Sequence, residues 1–187
     1  MQIQLENVRI AFCNSLHVKK SVMEGKPQHS ATFIMTPGQG AHKLLENTIN
    51  EVGAAKWGAK WKQIEKELRA ANKVCIKDGD LKAGYAGFEG NYFVSSSNSR
   101  SKIGVYDQDA NMSDDESLIY AGCQVNGVID VWAQAHQSYG KRINATLIGV
   151  QFVKDGESFG AAAVSTANLF KPVDVELVED ELAELMG

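Results

Sequence analysis

The chain has 187 residues, 44% hydrophobic and 22% charged, which fits one ordinary globular domain plus an appendage. No stretch approaches the roughly 18 apolar residues that a membrane span needs, and no basic segment leads into an apolar run at the N-terminus, so a cytoplasmic location with no membrane partner is expected. The net charge of −4 excludes an evenly basic protein but conceals an uneven distribution.

Ile3-Gln4-Leu5-Glu6-Asn7-Val8-Arg9-Ile10 alternates apolar and polar residues and predicts a strand. Asn14 to His29 is polar, contains Lys19, Lys20 and Lys26 and a Gly25-Lys26-Pro27 break, and reads as a long loop. With His17 and His29 it is either a flexible basic clamp or a soluble loop. Ser30–Met35 predicts a second strand, ended by Thr36-Pro37-Gly38.

A helical insert follows, over about 41–72. Leu44, Leu45, Thr48, Ile49 and Val52 fall at helical spacing, and a second run carries Trp61, Ile64 and Leu68, predicting helices over about 41–55 and 59–71. Trp57 and Trp61 lie one turn apart; core burial is the default for them, ahead of base stacking. Short strands are then predicted at Val74–Ile76, Tyr92–Ser95 and Ile103–Tyr106. A long one over Ile119–Ala133 pairs with Asn144–Val153, and Asp155-Gly156 matches a type I′ turn. Mainly β structure with a helical insert predicts a small, OB-fold-like β-barrel over residues 1–160. Residues 161–172 read as a linker.

The last segment, DVELVEDELAELMG, carries Asp174, Glu176, Glu179, Asp180, Glu181 and Glu184 and no cation. Setting those six aside leaves 17 acidic against 19 basic residues, and residues 1–105 alone hold 15 basic and 9 acidic ones. A basic body with an acidic tail suits a polyanion-binding surface for which the tail competes. A solvated, disordered terminus is the plainer alternative.

The most informative block is residues 77–107. Glycines 79, 84, 87, 90 and 104 alternate there with Tyr85, Phe88, Tyr92, Phe93 and Tyr106, and Lys77, Lys82, Arg100 and Lys102 are interleaved. Aromatic faces stack on unpaired bases, cations neutralise phosphates, and glycine admits a ligand close to the backbone. For any single aromatic, core burial is the competing assignment. Period 2 sends Tyr92 and Phe93 to opposite faces, so one is core and the other available. His136–Arg142, with Tyr139, Lys141 and Arg142, reads equally as a binding hairpin or a solvated turn.

Catalytic and metal assignments are weak. Asp107–Asp115 starts like an EF-hand loop but has Met112 for the required Gly and Leu118 for the bidentate Glu. Asp78-Gly79-Asp80 is more simply a turn than half a nuclease site. Cys13, Cys75 and Cys123 are odd in number and scattered, which favours buried thiols. No nucleotide-binding or hydrolase motif occurs. No enzyme activity, cofactor or metal is expected.

The segments Leu5–Phe12, Lys26–Phe33, Lys77–Asp80, Tyr85–Tyr92, Ile119–Asn126 and Gly149–Glu157, in that order, resemble a family of bacteriophage single-stranded DNA-binding proteins with an OB-fold. These are related in design to the replication proteins of T-odd-type phages. The resemblance implies a barrel that coats single strands during replication and recombination, and an acidic tail that recruits replication or recombination proteins and shields the groove. The ending Leu185-Met186-Gly187 departs from the aromatic ending common in such tails. Strand annealing is the alternative function and a metal-dependent nuclease the last. A homodimer is left open.

Overall fold

The computed structural model describes residues 1–21 and 25–160; the linker and acidic tail expected beyond them lie outside the described residues. Seven strands and two helices follow in the order β1 (Gln2–Ala11), β2 (His29–Met35), α1 (Gly40–Trp57), α2 (Trp61–Ala70), β3 (Ile76–Asp78), β4 (Tyr92–Asn98), β5 (Gly104–Tyr106), β6 (Gln124–His136) and β7 (Gly140–Lys154). None of the described helices is long and apolar enough to cross a membrane.

Five strands close a barrel. β1 pairs antiparallel with β2 and β6, β2 with β4, and β6 with β7, while a parallel contact between Ser97 of β4 and Thr146 of β7 completes the ring. This circuit of β1, β2, β4, β7 and β6 is that of an OB barrel. β3 extends the sheet beside β4, and β5 runs parallel to β7.

The first strand shows how alternation and structure differ in detail. Leu5, Val8 and Ile10 are all buried, an odd spacing for a pleated strand. A bulge between Leu5 and Val8 absorbs the extra residue. Asn7 takes it up at φ 53, the left-handed region that Asn tolerates better than most residues. Its N–H donates to Asn126 Oδ1 at 3.0 Å, and its carbonyl accepts from Gln39 Nε2 at 2.9 Å.

α1 closes one end of the barrel. Leu45 and Ile49 join Leu5, Val8, Phe33 and Ile129 in one apolar core. Phe33 lies across Gly127, where an added Cβ would sit 2.5 Å from its ring, so the glycine makes room for a large, fully buried core side chain. α2 locks onto α1 through Trp61, whose ring occupies the space over Gly53 and stacks on Trp57 at 5.5 Å and 11°. Both tryptophans are thus engaged in packing. Burial pushes the Cys13 thiol up to about 11, with Cys123 nearby adding to the shift. All three cysteines are free and buried.

Two expectations are corrected. Ile119–Cys123 is a turn rather than the start of β6, because Gly122 sits at φ 107. Asp155-Gly156 forms no type I′ turn, since no strand follows it among the described residues and Gly156 does not take a positive φ.

Candidate nucleic-acid interface

Side chains alternate across β2 and β4, and the face turned away from the core carries Thr32, Ser95 and Ser97. Thr32 Oγ1 and Ser95 Oγ are 2.9 Å apart. Beside this hydroxyl-lined floor runs a groove of about 780 Å³. One wall is the segment Asn72–Lys77, and the other is the β6–β7 hairpin, with Trp132, Gln134, Arg142, Asn144 and Thr146. In an OB barrel this surface, with the loops joining the first to the second strand and the fourth to the fifth, is where oligonucleotides bind.

Four cations line the groove: Lys73, Lys77, Arg100 and Arg142. None forms a salt bridge among the described residues. The single acid there, Asp130, is neutralised by the Met1 ammonium at 2.8 Å. Arg100 is set at the rim by Asn98, whose Oδ1 accepts from the N–H groups of Arg100 and Ser101 at 3.0 Å while its Nδ2 donates to Leu147 O at 2.9 Å. Trp132, 40% exposed, donates from Nε1 to Thr146 Oγ1 at 3.0 Å, so the ring is oriented and still accessible. Cys75 also borders the groove; burial pushes its thiol up to about 12, which keeps it uncharged.

The loop from β3 to β4 builds a second, aromatic cluster. Asp78 Oδ1 accepts the Asp80 N–H at 2.9 Å, and Asp80 Oδ1 accepts the Gly90 N–H at 2.9 Å. These carboxylates shape a turn. Gly79 is required because a Cβ there would lie 1.9 Å from Phe88 O. Tyr85, 56% exposed, meets Phe12 edge-on at 5.2 Å. Lys82 Nζ stands 4.5 Å from the Phe12 ring, 5.2 Å from Phe93 and 5.6 Å from Phe88. Desolvation lowers the Lys82 pKa, and the neighbouring Lys77 adds to the shift. Phe12 lies at φ 50 and is 41% exposed, an uncommon conformation for a non-glycine residue.

Of the residues singled out in the sequence, Lys77, Arg100 and Arg142 meet in the groove, and Lys82 and Tyr85 meet in the cluster beside it. Phe88 and Phe93 are corrected from stacking candidates to supports, since at 1% and 3% exposure they leave no face for a base. Tyr92 is also corrected: it packs against the main core and stacks on His42 at 4.5 Å. Neither residue of that pair is therefore free. Tyr106 covers Gly104 on β5 and lies outside the groove lining, as does the exposed Lys102. Tyr139 stands at the hairpin tip against His136, 4.8 Å away. Lys141 is on the opposite hairpin face from Arg142. The basic loop is partly docked, with Lys19 Nζ donating to Ser99 O at 2.8 Å and His29 buried on Ser15 O at 2.9 Å.

Sequence reading missed Phe12, Lys73 and Trp132. For Trp132 the signal was present, because alternation with buried Ile129 and Val131 places it on the outer face with Asp130. For Phe12 no local pattern announced a left-handed residue at a strand end.

The family model described as "Enterobacter phage Enc34, ssDNA-binding protein" matches residues 1–182. The putative protein p50 of Acyrthosiphon pisum secondary endosymbiont phage 1 is 30% identical over 188 residues, covering 97% of both chains. The single-stranded DNA-binding protein of bacteriophage Enc34, solved with ssDNA, superposes with a TM-score of 0.68 at 27% identity, over 85% of this chain and 89% of that one. The gp2.5 protein of bacteriophage T7 shares the fold, with a TM-score of 0.59 at 9% identity over 93% and 97% of the two chains. The chain belongs to the phage single-stranded DNA-binding protein family represented by the Enc34 protein.

Proposed function

We propose that this chain binds single-stranded DNA without sequence preference along the groove between Asn72–Lys77 and the β6–β7 hairpin, and does no chemistry on the strand. The observation that carries this is the set of four cations, without a salt bridge among the described residues, around a groove in which Trp132 keeps an accessible ring. Cations without carboxylate partners are free to take phosphates and release counterions. An aromatic ring stacks on any base, which makes the binding tolerant of sequence. Phe12, Tyr85 and Lys82 extend the track beyond the groove. The hydroxyls of Ser95 and Ser97 in the groove lining offer hydrogen bonds without bulk. The acidic tail competes with phosphate for the same cations, given its six carboxylates and no cation, and offers a docking segment to replication or recombination proteins. The tail's residues lie outside the described ones.

The test is a fluorescence-anisotropy titration of labelled oligo-dT at several salt concentrations, with duplex of equal length as competitor. Four neutralised phosphates predict a slope of about −3 in log K against log salt, at about 0.7 per phosphate. Salt-insensitive binding, or equal preference for duplex, would remove this reading.

A further inference from the structure

Six residues after β7 form a strap that no part of the DNA track described above includes. Past Lys154 the chain runs beside Tyr120, whose hydroxyl donates to Asp155 Oδ1 at 2.8 Å and accepts from the Gly156 N–H at 3.1 Å. Two glycines permit the close crossing that follows. A Cβ at Gly156 would lie 2.3 Å from Gly122 O, and one at Gly122 would lie 2.1 Å from Glu157 O. Arg9 fastens the crossing from β1, donating through Nε to Gly122 O at 3.1 Å and through Nη2 to Glu157 O. The Phe159 N–H then donates to Ala121 O at 2.9 Å.

This route delivers the Phe159 ring to a specific place. Its outer face receives the Arg9 guanidinium, 4.1 Å from the ring centre. The ring packs against the small cluster of Ala11, Ile34, Phe88 and Phe93. Its para carbon lies where a Cβ on Gly87 would be, 2.3 Å away. Gly87, at φ 84, belongs to the same loop as Lys82 and Tyr85. Phe88, next to it, contacts Phe12 at 5.8 Å and Tyr85 at 6.3 Å.

We propose that Phe159 is a positioning residue for DNA binding: it wedges the loop between β3 and β4 so that Tyr85, Lys82 and Phe12 are held in place before a strand arrives. Phe159 itself touches no DNA. The inference rests on the single-strand reading above and adds a residue to it. The physical reason is preorganisation. A loop ordered in the free protein does not charge its ordering entropy to binding.

The experiment is a double-mutant cycle in the full chain, read as oligo-dT affinity at one salt concentration, with circular dichroism confirming that each variant is folded. Phe159→Ala is expected to weaken binding about tenfold. Because Phe159 acts through the Tyr85 loop, adding Phe159→Ala to Tyr85→Ala should cost less than a further twofold. Adding it to Trp132→Ala, in the groove proper, should cost the full tenfold again. Phe159→Leu should restore most of the affinity by refilling the wedge. Phe159→Tyr should not restore it, since its hydroxyl would meet Gly87, and it replaces Phe159→Ala in both cycles if the alanine variant does not fold. Unchanged affinity in a folded variant, or multiplicative losses with Tyr85→Ala, would overturn the role given to Phe159. A native chain that fails to bind oligo-dT would instead overturn the single-strand reading, and the positioning role with it.

Discussion

In the helical insert, Arg69 is held by Glu46 at 2.6 Å and Glu65 at 2.8 Å, and Trp61 lies in the core, stacked on Trp57. In the groove, Arg142 has no carboxylate partner among the described residues, and Trp132 keeps an open face. The same residue types occupy both regions and are used in opposite ways. Burial alone would lower the Arg69 pKa; the hydrogen bonds to Glu46 and then Glu65 outweigh it and hold the pKa above its ordinary value. A cation so satisfied has little left to offer a phosphate. What separates the proposed binding surface from the packing surface is whether the described residues have already satisfied the side chain.

The largest effect that sharpens this contrast is expected from Trp61→Ala. The ring fills the space over Gly53 and donates from Nε1 to Asn50 Oδ1 at 3.1 Å. Its removal leaves a cavity and an unfilled glycine face, at about 3–5 kcal/mol of stability. Urea unfolding should show that loss while the folded fraction keeps its affinity for oligo-dT. A fall in affinity without a fall in stability would mean that the insert belongs to the DNA surface after all.

Much of this division was readable from residue order. Helical spacing placed both tryptophans of the insert in packing roles, and period 2 placed the barrel strands. The glycine-aromatic block contains Lys77, Lys82 and Tyr85, which the fold brings to the groove wall and the cluster beside it. It could not rank the aromatics within it, because burial of Phe88 and Phe93 depends on Ala11 and Ile34 from β1 and β2 and on Phe159 from far along the chain. Tyr92 was equally opaque, since its partner His42 sits on α1. Phe12 depended on a backbone angle, and the Leu5–Val8 bulge on a hydrogen bond from Asn7 to Asn126. Apart from that angle, each of these is a contact between distant segments, which local pattern does not encode.

A second effect, smaller and confined to binding, is expected from Trp132→Ala. One stacked base is worth about 1–3 kcal/mol, so affinity for oligo-dT should fall by about five- to 150-fold. Stability should change far less than in Trp61→Ala, because much of the ring is already in water. The comparison breaks if the two tryptophans behave alike in both assays.

The smallest effects come from the paired arginines and are read in salt dependence rather than affinity. Arg142→Ala removes one phosphate contact, so the slope of log K against log salt should become shallower by about 0.7, with the unfolding midpoint unmoved. Arg69→Ala should leave the slope as it is. Its cost appears in stability and stays within about 1 kcal/mol, because the ion pairs with Glu46 and Glu65 are partly exposed and screened by solvent. The two variants remove the same charge from the same chain. If both shifted the slope equally, net charge alone would govern binding and the groove would lose its claim. If only Arg142→Ala does, the phosphate site is local, and the carboxylates around Arg69 are what keep the insert out of it.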